Sequence, residues 1–194
     1  MSAELWLVRH GETEWSAVGR HTSITDLPLT AAGEAEAVTL RPVLAKVEFT
    51  QVLTSPRRRA SHTAELAGFG EAGVDEDLVE WAYGEYEGIT TPDIRLTDPG
   101  WSVWTHPTPG GETAQQVAER LDRVVARTRM IEGRTLVFAH GHSLRALAAR
   151  WLGLDVVVGR HLGLDTSTVS VLGDDRGTPV IQRWNVSEMV SGAH

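Results

Sequence analysis

Short apolar runs alternate along the chain with segments whose apolar residues recur every three or four positions, the pattern of an α/β layer protein. Leu5–Val8 is wholly apolar and reads as a buried first strand that stops at Arg9. Residues 16–29, with Gly19, Asp26 and Pro28, read as turns. Thr30 can then cap a helix over 31–46, which Pro42 should bend or restart. Gln51–Thr54 is a second strand. Ser55 and Pro56 follow as an N-cap and a first-turn proline for a helix ending near Ala67.

Residues 81–112 read as an irregular excursion rich in Gly, Pro and Trp, with one short helix near Pro92–Leu96. Thr113 to Gln116 forms a capping box that opens a long amphipathic helix, with Val117, Leu121, Val124, Val125 and Thr128 along one side. Thr135–Ala139 is a further apolar strand, followed by His140-Gly141-His142 and a helix from about Ser143 to Leu152. Thr168–Leu172 and Val180–Trp184 are two more strand candidates, joined by a hairpin turn in 173–177. Ser187–His194 reads as a loose end.

Composition narrows the function classes. The chain has 194 residues, 41% hydrophobic and 23% charged, which fits one domain with a full core. It has no cysteine, so disulfides, thiolate catalysis and Cys-based metal sites are excluded. A net charge of −8 argues against nucleic-acid binding. No stretch approaches the ~18 apolar residues of a membrane span, and no leader is readable, so the expected compartment is the cytoplasm. Seventeen Arg stand against the single Lys46, so an isolated Arg carries little information. Trp81, Trp101 and Trp104 cluster in the excursion, next to Tyr83 and Tyr86.

Two strands end directly in polar residues: Leu5–Val8 in Arg9-His10-Gly11, and Thr135–Ala139 in His140-Gly141. In open α/β sheets, ligands bind beyond the carboxyl ends of the strands. Both histidines sit there. Between them lie Ser55-Pro56-Arg57-Arg58-Arg59-Ala60, continued by Thr63-Ala64-Glu65, then Glu80 ahead of Gly84-Glu85-Tyr86-Glu87-Gly88, then Gly110-Gly111-Glu112-Thr113. In this order the motifs resemble the histidine phosphatase superfamily, branch 1, which includes the cofactor-dependent phosphoglycerate mutases.

The resemblance implies a three-layer α/β/α fold, with a mostly parallel central sheet flanked by helices and a lid formed by about 81–112. It implies hydrolysis of a small phosphomonoester with no metal or other cofactor. By resemblance, His10 is the nucleophile and forms a phosphohistidine. Arg9, Arg59 and His140 form an anion cradle, for which the planar guanidinium fork is suited, and Ser16, Thr22 and Gly141 adjoin the phosphate. Glu80 is the matching general acid and then the base, with Glu85 and Glu87 as neighbouring candidates. Ser16 and Thr22-Ser23 depart from the mutase pattern, as does the short insertion, and favour a phosphatase.

Three other readings stay open at this level: a phosphoglycerate mutase, a metallohydrolase using His140 and His142, and a non-catalytic phosphate-binding module. His21, His62, His106 and His161 read as packing residues, and the aromatic excursion as a lid that selects the organic part of the substrate. The last two strands offer an edge for a homodimer.

Overall fold

The computed structural model describes residues 3–187. Its six-stranded sheet contains β1 (Glu4–Arg9), β2 (Gln51–Thr54), β3 (Gly73–Val74), β4 (Arg134–Ala139), β5 (Val169–Asp175) and β6 (Thr178–Val186). The strand order is β3-β2-β4-β1-β5-β6. The first four strands pair in parallel, and β5 is antiparallel to both of its neighbours. The α/β/α expectation holds.

Alternation along the strands builds a core on each face. Leu5, Leu7, Val137 and Ala139 point to one side, where α6 (Ala114–Arg129) and α7 (Gly141–Trp151) pack with Val117, Leu121, Val124, Leu144 and Leu147. Trp6, Val8, Leu136 and Phe138 point to the other. There they meet Leu40, Leu44 of α3 (Arg41–Leu44), and Ala64 of α4 (Arg58–Leu66). Strands covered on both faces are apolar throughout rather than alternating, which is why β1 and β4 stood out in the sequence.

Local chemistry explains most boundaries. Thr30 caps α2 (Ala31–Thr39) by accepting from the Gly33 amide, and Pro42 restarts the chain as α3 instead of letting one helix run to 46. Thr113 and Gln116 form the expected capping box on α6. Arg176 and Gly177 turn between β5 and β6 with φ of 54° and 88°, the positive pair a two-residue hairpin needs.

One boundary differs from expectation. Ser55 is not the cap of α4; Arg57 holds that position, and the helix begins at Arg58. The Ser55 hydroxyl is instead drawn to His140, while the Arg58 amide donates to Asp26. The short helix α5 spans Thr91–Ile94, and several short elements were not expected from the sequence, among them the helix Glu14–Ala17, the two-residue β3 and the 3-10 turns Glu76–Leu78 and Val156–His161. A loose end at 187–194 concerns residues that, after Ser187, lie outside those described. No helix among the described residues is long and apolar enough to cross a membrane.

The loop leaving β1 packs backbone to backbone on α2. A Cβ at Gly33 would lie 2.2 Å from the Glu12 carbonyl oxygen, and one at Gly11 2.5 Å from the Gly33 oxygen. Neither contact can be relieved by a side-chain rotation. Gly33→Ala should therefore cost about 1–3 kcal/mol or more and lower the urea midpoint by about 1 M or more. An unchanged midpoint would show that the loop yields without cost.

Candidate active site

The chain leaves β1 toward α2–α4 on one face of the sheet and leaves β4 into α7 on the other, so a crevice opens where the two connections part. Register pairs Arg9 with Ala139, which puts His10 and His140 side by side at the strand ends. Their rings meet edge to face with centroids 5.2 Å apart. The cavity beyond them, of about 210 Å³, is lined by Arg9, His10, Ser16, Thr22, Glu80 and Gly141 from the expected set. Arg59 and His140 lie behind that wall, both fully buried.

Hydrogen bonds settle the histidine tautomers. His10 Nδ1 lies 2.7 Å from the Gly11 carbonyl oxygen. A carbonyl only accepts, so Nδ1 carries the proton and Nε2 keeps its lone pair. Burial, followed by the charges of Arg59 and Arg9, holds His10 well below the ordinary histidine range. At neutral pH it is an uncharged base. Arg59 Nε donates to His140 Nδ1 at 3.1 Å, so His140 Nε2 donates to Ser55 Oγ at 2.7 Å. Burial and the charge of Arg59 keep His140 neutral as well.

Arg59 is braced by backbone. Nη1 donates to the Thr25 carbonyl, and Nη2 donates to those of Thr22 and Ser23. With the Nε–H on His140, four of its five N–H groups are engaged, leaving one on Nη1. The same loop is gripped from its other side by Glu87, whose carboxylate accepts from the amides of Ser23 and Thr25 and from the Ser23 hydroxyl. Burial alone would raise the Glu87 carboxyl, but these donors outweigh it and leave it below the usual carboxylate range.

Glu80 sits against the N-terminus of α7. Its Oε1 accepts from the Ser143 amide at 2.7 Å and the Trp81 amide at 2.9 Å, and its Oε2 accepts from the His142 amide at 3.0 Å. Glu112 braces the same segment by accepting from the Ala82 amide while pairing with Arg120 through two N–H groups. The Gly141 amide, at the first position of α7, has no hydrogen-bond acceptor among the described residues. The Arg9 Nε is likewise buried without a partner. A helix N-terminus and an unpaired guanidinium N–H facing one cavity make an anion site.

Ser16 reaches the cavity wall, but its hydroxyl donates to the Thr13 carbonyl and accepts from the Thr13 amide as part of the capping box of α1 (Glu14–Ala17). Thr22 also lines the wall, with its hydroxyl turned to the Arg20 carbonyl.

A family model described as "Histidine phosphatase superfamily (branch 1)" matches residues 5–187. The chain belongs to that superfamily. This histidine phosphatase is 42% identical over 177 residues to an acid phosphatase of Mycobacterium tuberculosis, covering 89% of this chain and 87% of the relative. It is 40% identical over 183 residues to sedoheptulose 1,7-bisphosphatase of Saccharomyces cerevisiae, covering 77% and 68%. A solved Mycobacterium tuberculosis protein, the product of open reading frame Rv3214, superposes with a TM-score of 0.91 at 38% identity, covering 96% and 98%.

The rim of this histidine phosphatase corrects two expectations. His21 does not merely pack: it lines the cavity, with Nε2 3.1 Å from the Thr91 hydroxyl and its ring 4.6 Å from Tyr83. Burial lowers its pKa to about 4. Trp81 and Trp101 do not face the cavity as a selecting lid; both are core residues whose indole N–H groups donate to the carbonyls of Glu112 and Pro107. The excursion contributes Tyr83 instead, whose hydroxyl lies 2.6 Å from His142 Nδ1.

Arg20 and Arg145 complete the lining and were missed, because an Arg in an Arg-rich chain gives no signal by itself. The helical spacing of Arg145 four residues after Gly141 was the usable clue. His140 and His142 turn to different partners, Ser55 and Tyr83, and among the described residues no group of three or more His, Asp or Glu side chains could hold a metal ion.

Proposed function

We propose that this chain hydrolyses a small phosphorylated metabolite in the cytoplasm, passing the phosphoryl group through His10. The observation that carries this reading is the bond from His10 Nδ1–H to the Gly11 carbonyl, which leaves Nε2 unprotonated on the cavity side of a neutral ring. Nε2 attacks phosphorus, the ester P–O bond breaks, and the departing oxygen takes a proton from Glu80. Water then attacks the phosphohistidine, gives a proton back to Glu80, and releases phosphate with His10 regenerated.

Arg9 Nε and the Gly141 amide supply donors for the phosphoryl oxygens, and the Arg59 charge acts from behind the wall beside His10. His140 holds the Arg59 guanidinium in place. Such donors need no reorganisation as charge builds, and this preorganisation does much of the work in phosphoryl transfer. Relatives named as an acid phosphatase and a bisphosphatase favour hydrolysis over mutase chemistry.

Purified protein should hydrolyse p-nitrophenyl phosphate and a subset of metabolite phosphates in the presence of EDTA. Added 2,3-bisphosphoglycerate should not make 3-to-2 phosphoglycerate interconversion outrun hydrolysis. Loss of activity on chelation with recovery on a divalent ion would overturn the His10 mechanism, and dominant interconversion would make the enzyme a mutase.

A further inference from the structure

Glu80 lies on a segment that is anchored to α6 and its approach on both sides. Ahead of Glu80, Arg120 of α6 donates from Nη1 to the Asp77 carbonyl at 2.9 Å, and Arg123 and Arg127 pair with the Asp77 carboxylate. Behind it, the Glu112 carboxylate accepts from the Ala82 amide at 2.9 Å. The Glu112 amide donates to the Ala82 carbonyl, and the Glu112 carbonyl accepts from the Trp81 indole. Arg120 joins the two anchors, because its Nε and Nη2 donate to the two carboxylate oxygens of Glu112 at 2.8 and 3.0 Å. Each polar atom of Glu112 is thus engaged by Arg120 or by the two residues that follow Glu80.

Two structural duties compete as explanations, and neither suffices. The N-terminus of α6 is already closed by the capping box of Thr113 and Gln116, so the helix does not need Glu112. Nor does an ion pair held mostly out of water add much stability over apolar side chains of similar volume. The Arg120 side chain is 7% exposed and that of Glu112 22%. What the pair supplies is direction. A planar guanidinium with two N–H groups on one carboxylate and a third on the Asp77 carbonyl holds both backbone anchors at a fixed separation.

That separation bears on Glu80, whose carboxylate accepts from the α7 amides and also lines the cavity. A reacting group misplaced by about 1 Å can lose about 100-fold in rate. We infer that Glu112, held by Arg120, is a positioning residue for Glu80: the pair fixes the backbone before and after the proton-transfer residue and so sets where its carboxyl meets the departing oxygen. Neither Glu112 nor Arg120 lines the cavity, so both act through Glu80. The inference rests on the phosphatase reading above, in which Glu80 is the acid.

Proton donation counts most where the leaving group is poor, so esters graded in leaving-group acidity test this. p-Nitrophenyl phosphate, phenyl phosphate and glycerol 3-phosphate form the series, with kcat/KM reporting the transfer to His10. Glu112→Gln keeps the volume of the side chain and gives up its charge. In that variant kcat/KM should fall about 10- to 100-fold for glycerol 3-phosphate and less than about threefold for p-nitrophenyl phosphate, with phenyl phosphate between them. Competitive inhibition by inorganic phosphate should hold within about threefold, because the anion donors lie elsewhere. Arg120→Lys keeps a charge without the fork and should show the same graded loss to a smaller extent.

Placed in the Glu80→Gln background, either substitution should leave the leaving-group dependence unchanged, since the position of a side chain that cannot donate a proton no longer counts. Equal losses on the three esters, no loss on any, or a graded loss that persists undiminished beside Glu80→Gln overturns the inference. So does a graded loss accompanied by an equal weakening of phosphate inhibition, which marks a general loosening of the site. Arg120→Lys decides alone if Glu112→Gln fails to fold. Any of these results, with a graded loss in Glu80→Gln itself, leaves the phosphatase reading intact. No graded loss in Glu80→Gln would instead overturn the acid role of Glu80, and the inference with it.

Discussion

His10→Ala should abolish turnover, by at least about 10⁴-fold, and should abolish the acid-labile phosphoenzyme trapped on rapid quenching. Alanine removes the only atom placed to bond phosphorus, and the neighbouring imidazole cannot replace it. His140 has both ring nitrogens occupied, by Arg59 and Ser55, and lies behind the cavity wall. The pH dependence of the unmodified enzyme follows from the same environment. Burial and two guanidinium charges depress the His10 pKa, so its neutral, nucleophilic form persists as pH falls through the ordinary histidine range. After correction for ionisation of the substrate phosphate, kcat/KM should show no acid limb near pH 6.5. An acid limb there that vanished with a histidine substitution elsewhere would assign the nucleophile wrongly; residual phosphoenzyme in His10→Ala would do the same.

Glu80→Gln should separate the two steps of the reaction. Glutamine keeps the size of the side chain but cannot donate a proton, and general acid–base help is worth about 10²–10⁴-fold. An alkyl phosphate, with its poor leaving group, should lose most of that factor in the first step. p-Nitrophenolate departs with little protonation, so the first step should survive while the second, which needs Glu80 as base, slows. The result should be a burst of nitrophenolate with accumulation of phosphohistidine.

The geometry adds a second signature. Both carboxylate oxygens of Glu80 accept backbone N–H groups at the start of α7, whereas an amide offers one acceptor. Glu80→Gln should therefore also cost about 1–2 kcal/mol of stability, visible in urea unfolding. Equal losses on alkyl and nitrophenyl phosphates, with no phosphoenzyme build-up, would remove Glu80 from proton transfer. Glu87 is already committed to Ser23 and Thr25, so Glu85 would be the next candidate.

What could be read from the sequence depended on how local its cause was. β1 and β4 are apolar because both faces of the sheet are covered, and α6 opens on a capping box complete within four residues. The hairpin at Arg176-Gly177 was visible for the same reason. Ser55 misled because a partner 85 residues away claimed its hydroxyl. The floor of the site was legible where polar residues interrupt apolar strand ends: Arg9 and His10 after β1, His140 and Gly141 after β4. The rim was not. Tyr83 meets His142 across 59 residues, and His21 meets Thr91 across 70, so neither contact leaves a spacing to detect. The aromatic excursion announced a lid, whereas its tryptophans anchor it to the core and its residues at the cavity are Tyr83 and Thr91.

The attachment of Glu80 to the amides that open α7 constrains how this protein can diverge. The proposed proton-transfer residue, the start of a core helix and the candidate anion site at Gly141 share one short stretch of backbone, so a substitution that adjusts one disturbs the others. Arg20, His21 and Thr91 line the same cavity from other segments of the chain. Descendants of this chain can acquire new substrates by exchanging those side chains while inheriting the chemistry whole. Variation in choice and rigidity in reaction are thereby assigned to different segments of the chain around one cavity.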